Sequence, residues 1–274
     1  MKGDEPKASE QLTRLVQAIG NSSKYSHVCD DLIVNIGIRE LTRHKSYREA
    51  LKSTKNKLHQ VAGAYFVKRP NYNRWLEELK DARRCDDDAL FKERCTKIMS
   101  LHHSSRERLK ELDAFYAGIF SSLPPIGSVL DIACGLNPLS IPWMPLRPDA
   151  RYYACDIYHD LVDFLNEYMD LLSVQGEAEI RDVTQHPPEM PVDLALILLS
   201  IPCLEQIDRS AGEFLLKSND ARFLAVSFPV RSLGGNPKGM RGHYTRRLYN
   251  LVKGRGWDVQ ELDFNSERVF IIRK

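Results

Sequence analysis

Two rhythms of apolar residues divide the chain. Up to residue 123 they recur every three or four positions, in Leu12, Leu15, Val16 and Ile19, in Leu90, Ile98 and Leu101, and in Leu109, Leu112, Phe115, Tyr116 and Ile119. That spacing gathers them on one face of a helix. Ser46 with Glu49 reads as a capping box for a helix running to about Val61, and Asp86 and Ser104 or Ser105 read as caps of later helices.

After Pro124-Pro125 the rhythm changes. Short apolar runs at 128–132, 152–155, 178–181, 194–199, 223–227, 258–264 and 268–272 predict seven strands, with helical patterns between them, clearest at 161–172 and 243–254. Strands alternating with helices predict a parallel sheet covered on both faces. The last two runs lie too close for a crossover and predict an antiparallel hairpin. The expected architecture is α/β: a helical N-terminal domain over 1–123 and a Rossmann-like seven-stranded domain over 124–274. Such a sheet ending in a hairpin is the layout of class I S-adenosylmethionine (SAM) methyltransferases.

Composition sets outer limits. The chain has 274 residues, 43% hydrophobic and 28% charged, ordinary values for a globular protein. No run reaches the ~18 apolar residues of a membrane span, and residues 1–5 are charged, with no apolar signal core. A cytoplasmic protein with no membrane partner is expected. The six cysteines form no C-x-x-C pair, and the adjacent His102 and His103 have no partner acids nearby, so no metal site is expected.

Net charge is only +2, but it is unevenly spread. Residues 41–70 carry eight basic side chains (Arg43, Lys45, Arg48, Lys52, Lys55, Lys57, Lys68, Arg69) against Glu49 alone. Residues 229–256 carry seven (Arg231, Lys238, Arg241, Arg246, Arg247, Lys253, Arg255) and no acid. One such stretch is more often a solvated face; two leave a polyanion-facing surface and the bland reading about evenly matched.

Candidate chemistry collects at the strand ends. In open α/β sheets ligands sit beyond the carboxyl ends of the strands. Asp131, Asp156 and Asp182 close the first three. An acid after the second strand commonly takes ribose hydroxyls, and one after the third can accept from an adenine amino group. A single aspartate there is more often a cap or turn residue; three in succession weaken that reading. The turn after the first strand separates the candidate cofactors. A dinucleotide requires G-x-G-x-x-G, so that backbone N–H groups can meet a pyrophosphate. Here those positions hold Ala133, Gly135 and Pro138. Proline has no N–H to donate, whereas SAM carries no phosphate. SAM is therefore expected over NAD.

Six blocks are more specific than a generic turn: "KLHQVAGAYF" (57–66), "SLHHSSRERLKELDAFY" (100–116), "LDIACGLNPLSIPW" (130–143), "CDI" (155–157), "DLALILLSIPCLE" (193–205) and "SFPVRSLGGNPKGM" (227–240). On these the chain resembles, over nearly its whole length, the Arm/Rmt family of aminoglycoside-resistance methyltransferases of 16S ribosomal RNA. The resemblance implies methylation of guanine N7 in the decoding A site of an assembled 30S subunit, giving aminoglycoside resistance, with a helical region that docks on rRNA and no catalytic residue beyond those that position the reactants. It implies cofactor contacts from Tyr65, His102, His103, Ser104, Arg108, Ala133, Gly135, Asp156, Asp182, Val183, Leu198 and Leu199, with Arg108 on the methionine carboxylate. Basic residues Lys45, Arg48, Lys52, Lys55, Lys68, Arg69, Arg231, Lys238 and Arg241, with Met240, are expected to face the RNA, and a monomer is expected.

Each has a plainer reading. Arg108 in "SSRERLKEL" fits an exposed helical charge paired to Glu107 or Glu111, Tyr65 fits a core position, and the glycines of the 232–240 loop fit a simple connection. One position departs from the family: where its fourth strand leads into K-x-x-P, this chain has Leu199-Ser200-Ile201-Pro202. Glu267 matches the family's acid before the last strand. The departure motivates one alternative, a non-catalytic SAM- and RNA-binding relative; a small-molecule methyltransferase is another, against which the basic helical half argues.

Overall fold

The computed structural model describes residues 5–63, 66, 69–230 and 240–274. Its centre is one sheet of seven strands: β1 Ser128–Ile132, β2 Arg151–Asp156, β3 Ala178–Ile180, β4 Val192–Leu198, β5 Ala221–Pro229, β6 Asp258–Asp263 and β7 Glu267–Arg273. The spatial order is β3-β2-β1-β4-β5-β7-β6. β1 to β5 run parallel, and β7 enters antiparallel between β5 and β6. Every strand expected from the apolar runs is present, with bounds within two residues of the pattern. The order reverses between β1 and β4, which opens a crevice at their carboxyl ends.

The helices are α1 Glu5–Gly20, α2 Asp30–Arg43, α3 Tyr47–Leu58, α4 Tyr72–Arg84, α5 Asp88–Met99, α6 His103–Arg106, α7 Leu112–Ser121, α8 His159–Leu171, α9 Ile201–Ile207, α10 Ala211–Ser218 and α11 Met240–Val252. Period-two alternation sends β4 residues to opposite faces. Leu194, Leu196 and Leu198 join the core under α4, α5, α7 and α8. Ala195 and Ile197 join the core under α9, α10 and α11. A third core, with Leu15, Ile19, Leu32, Ile33 and Leu58, binds α1, α2 and α3 together and rests on Ile157, Tyr158 and Ile180 at the strand ends and on Ile207 at the end of α9. The N-terminal helices thus divide by packing: α4, α5 and α7 share the core of the sheet, while α1–α3 form a bundle over the crevice.

Several local expectations are corrected. Ser46 precedes α3 but makes no side-chain cap bond. Asp87, not Asp86, caps α5, accepting from the N–H groups of Ala89 and Leu90. Asp86 instead sits in the turn with φ +53°. α6 begins at His103, so Ser104 and Ser105 lie inside it, and the Ser104 hydroxyl bonds His102 Nδ1 at 2.7 Å. After α3 the chain passes through one π turn, His59–Gly63, rather than continuing as α-helix.

Candidate functional site

The turn after β1 is built for close approach. Ala133 and Gly135 both have φ +51°, a region that excludes most side chains and suits glycine. A Cβ on Gly135 would stand 2.9 Å from His102 Cε1. The next segment, Asn137–Trp143, is a 3-10 helix rather than an α-helix. Pro142, inside the segment, opposes an α-helix, since it cannot supply the N–H that an i→i−4 ladder requires there.

Beneath the turn lies a buried polar network. Asp131 accepts from Asn137 Nδ2 (2.8 Å) and Tyr152 Oη (2.7 Å). Asn137 Oδ1 accepts from Arg108 Nη1 (2.6 Å) and Tyr116 Oη (2.7 Å). Arg108 Nε donates to Glu267 Oε1 at 2.6 Å, and Glu267 Oε2 accepts from Ser227 Oγ at 2.5 Å. Ser227 in turn receives the N–H of Leu199, on its hydroxyl at 3.0 Å and on its carbonyl at 3.3 Å. Leu199 leaves β4 with φ +58°, a strained conformation for a branched side chain. The network therefore fixes the backbone where the first turn and the end of β4 face each other.

Above it opens a cleft of about 770 Å³, counted to its open mouth. His102, Ser104, Ala133, Gly135, Asp156, Asp182, Val183, Leu198 and Leu199 line it, so nine of the expected cofactor residues are brought together. Arg108 and His103 do not line it. Arg108 is 2% exposed and given to Glu267 and Asn137, for a reason the sequence does not show: a guanidinium this deep requires a carboxylate beside it. His103 Nδ1 faces Arg106 at 3.4 Å. Tyr65, Lys68, Arg231 and Lys238 lie outside the described residues, as do the side chains of Met240 and Arg241. Asp131 lies one residue before the end of β1 and belongs to the network below.

Sequence reasoning missed Leu32, Val61, Phe66, Tyr158, Ser200 and Cys203 on the cleft wall. Tyr158 was findable, two residues beyond Asp156. Leu32 and Val61 come from the N-terminal bundle and carry no local signal.

Burial shapes the electrostatics. It raises Asp156, while the N–H groups of Gly135 and Ile157 pull it back. Burial pushes His102 down to about 3, so its imidazole is neutral near pH 7. The Cys134 thiol in the turn rises well above its ordinary value, again by burial, which disfavours its thiolate.

The donor set fits SAM. Asp156 Oδ2 accepts from Gly135 N (2.8 Å) and Oδ1 from Ile157 N (2.7 Å). Each oxygen retains acceptor capacity, matching the paired hydroxyls of a ribose. Ser200 Oγ is buried on the cleft wall without a hydrogen-bond partner among the described residues, a group a polar ligand would satisfy. Leu161, Val183 and Leu198 supply apolar walls for a base. No α-helix opens the β1 turn to cradle a phosphate.

The basic residues divide into free and committed groups. Lys45, Arg48, Lys52 and Arg69 are exposed and Lys55 is half-buried. Arg48, Lys52 and Lys55 stand four and three residues apart on α3, which places them on one helix face. In the second basic stretch, Arg247 pairs with Glu205 at 2.5 Å and Arg255 with Glu213 at 3.1 Å.

Fold and cleft define a class I SAM-dependent methyltransferase. The chain belongs to the ribosomal RNA methyltransferase (FmrO) family, which it matches over residues 21–272. It is 38% identical to a 16S rRNA (guanine(1405)-N(7))-methyltransferase of Serratia marcescens, over 92% of this chain and 94% of the relative. It is 32% identical to a protein of the same name from Micromonospora rosea, over 97% of each. Among solved structures it resembles 16S rRNA methyltransferase RmtF in complex with S-adenosyl-L-homocysteine, with a TM-score of 0.81, 25% identity and coverage of 97% of this chain and 98% of that one.

Proposed function

We propose that this enzyme methylates guanine N7 in the decoding A site of 16S rRNA within the assembled 30S subunit, and so protects the ribosome from aminoglycosides. The observation that carries the reading is a cleft with two strand-end carboxylates and apolar walls in a chain that belongs to an rRNA methyltransferase family. SAM, when bound, supplies a methyl group on a sulfonium, an electrophile. Asp156 would hold the ribose and Asp182 the adenine, with the turn at Ala133 and Gly135 open to close approach by the cofactor. Arg108 keeps to its contacts with Glu267 and Asn137 and fixes the turn from below.

Guanine N7 has an in-plane lone pair and no proton near pH 7, so no general base is required. His102, neutral in its buried site, takes no proton in this scheme. The protein's contribution is alignment and exclusion of water by Leu198 and Leu199. Removing the target guanine from its stack costs a few kcal/mol, offset by contacts on the ribosome surface. The row Arg48, Lys52 and Lys55 reaches phosphates, which position the protein without reading sequence. The rigid 30S surface then supplies specificity by shape, to a monomer acting in the cytoplasm.

The test is incubation of the protein with labelled SAM and 30S subunits, followed by borohydride–aniline cleavage and primer extension. A stop one nucleotide from the decoding-site guanine is expected. SAM binding with no N7 signal would replace this reading with that of a non-catalytic ribosome-associated relative, which the apolar Leu199 favours. Label in a small metabolite but not in 30S would make it a small-molecule enzyme.

A further inference from the structure

The buried face of α2 carries two polar side chains, Asn35 between Ile33 and Ile36, and Glu40 in its last turn. Asn35 is 8% exposed, and an amide buried this far is costly unless bonded. Three of its four hydrogen-bonding positions are used. Nδ2 donates to Asp182 Oδ2 at 3.0 Å and to Thr184 Oγ1 at 3.1 Å. Oδ1 accepts from Arg39 Nε at 3.0 Å. Arg39 is itself held, by Asp208 at 2.7 Å and by the Ile207 carbonyl at 3.2 Å. Arg39 has only donors, so it fixes which end of the amide faces Asp182.

The count at Asp182 is informative. Its Oδ1 accepts from Thr184 N (3.0 Å) and Thr184 Oγ1 (2.6 Å). Its Oδ2 accepts from Asn35. A carboxylate has about four acceptor positions, so the one left for a ligand lies on Oδ2, the oxygen Asn35 holds. The bundle also touches the chain just beyond the other strand-end acid, Asp156: Cys29 N donates to the carbonyl of Ile157 at 2.8 Å, and Val28 bridges Tyr158. Leu32, one turn before Asn35, lines the cleft.

We propose that Asn35 is a positioning residue of the cofactor site: from the N-terminal bundle it orients the Asp182 carboxylate so that its remaining acceptor position recognises the 6-amino group of adenine. The bundle that packs over the crevice is then part of the cofactor site and not solely a docking surface. The inference rests on the reading that Asp182 takes the adenine.

The experiment is calorimetry on the full chain with two probes, S-adenosylhomocysteine and its deaminated analogue S-inosylhomocysteine. The deaminated base presents an oxygen to Asp182 in place of the amino group. The wild-type protein binds the adenosyl probe more tightly. Asn35→Leu weakens that binding roughly tenfold and leaves the inosyl probe nearly unchanged, so the discrimination collapses. Equal weakening of both probes would reduce Asn35 to a packing residue and overturn the inference. Asp182→Asn separates the two layers. If it leaves discrimination intact, or if the wild type shows none, the adenine placement itself fails. If it abolishes discrimination while Asn35→Leu preserves it, the inference about Asn35 alone fails. Should Asn35→Leu not fold, Asn35→Ser keeps a short donor at the site; an intermediate loss of discrimination supports the inference, and none refutes it.

Discussion

Arg108 Nε and Glu267 Oε1 lie 2.6 Å apart, with both side chains at most 2% exposed, across 159 residues of sequence. The pair joins the helical half of the chain to the start of β7. It also ties the first turn, through Asn137, to the end of β4, through Ser227. Removing one partner of a buried pair strands the other charge. Glu267→Ala is expected to cost about 3–5 kcal/mol, read as the shift in urea-unfolding free energy. A loss below about 1 kcal/mol would mean that the guanidinium finds another partner.

Asp131 makes stability depend on pH in a direction opposite to most carboxylates. Burial pushes it up to about 7, although Asn137 and Tyr152 donate to it. The folded state therefore binds this proton more tightly than the unfolded chain does. Its stabilising contribution is full below the ordinary carboxyl value of 3.8 and is lost as pH rises through about 7. Asp131→Asn removes the titration, so its stability relative to wild type should rise between pH 5 and pH 8, by an amount on the order of a few kcal/mol. Urea midpoints at four pH values across that range check this; a constant offset would contradict it.

Asp156→Ala removes the two carboxylate oxygens proposed to take the ribose. S-adenosylhomocysteine affinity by calorimetry should fall about 30- to 100-fold. An unchanged affinity would overturn the placement of the ribose.

Leu199 holds a left-handed backbone with a side chain that disfavours it. Leu199→Val adds a β-branch at the same φ and should lose about 1–2 kcal/mol, while Leu199→Asn, which tolerates this region, should be neutral or slightly stabilising. Thermal denaturation distinguishes them; the opposite order would mean that side-chain packing outweighs the backbone.

On α3, Arg48→Ala and Lys52→Ala should each weaken 30S binding and each lower the slope of log affinity against log salt by about one. A slope unchanged in both variants would place the rRNA elsewhere on the surface.

Much of this protein is written locally. Short, near-continuous apolar runs and their spacing determine seven strands and the closing hairpin, because burial on both faces of a sheet demands that pattern. The positions of Ala133, Gly135, Asp156 and Asp182 follow as well, since a parallel sheet places its strand ends on one edge. Pro138 states locally that no pyrophosphate is cradled there. What the sequence leaves open are partnerships between residues far apart. Arg108 reads as an exposed helical charge until β7 brings Glu267 beside it. Arg247 and Arg255 read as a free basic face until Glu205 and Glu213 fold against them. Asn35 carries no signal at all, because its meaning lies in Asp182, a strand end 147 residues away. Periodicity is a property of neighbours along the chain. Which buried charge or amide meets which partner is decided only when packing removes the water that would otherwise satisfy each of them alone.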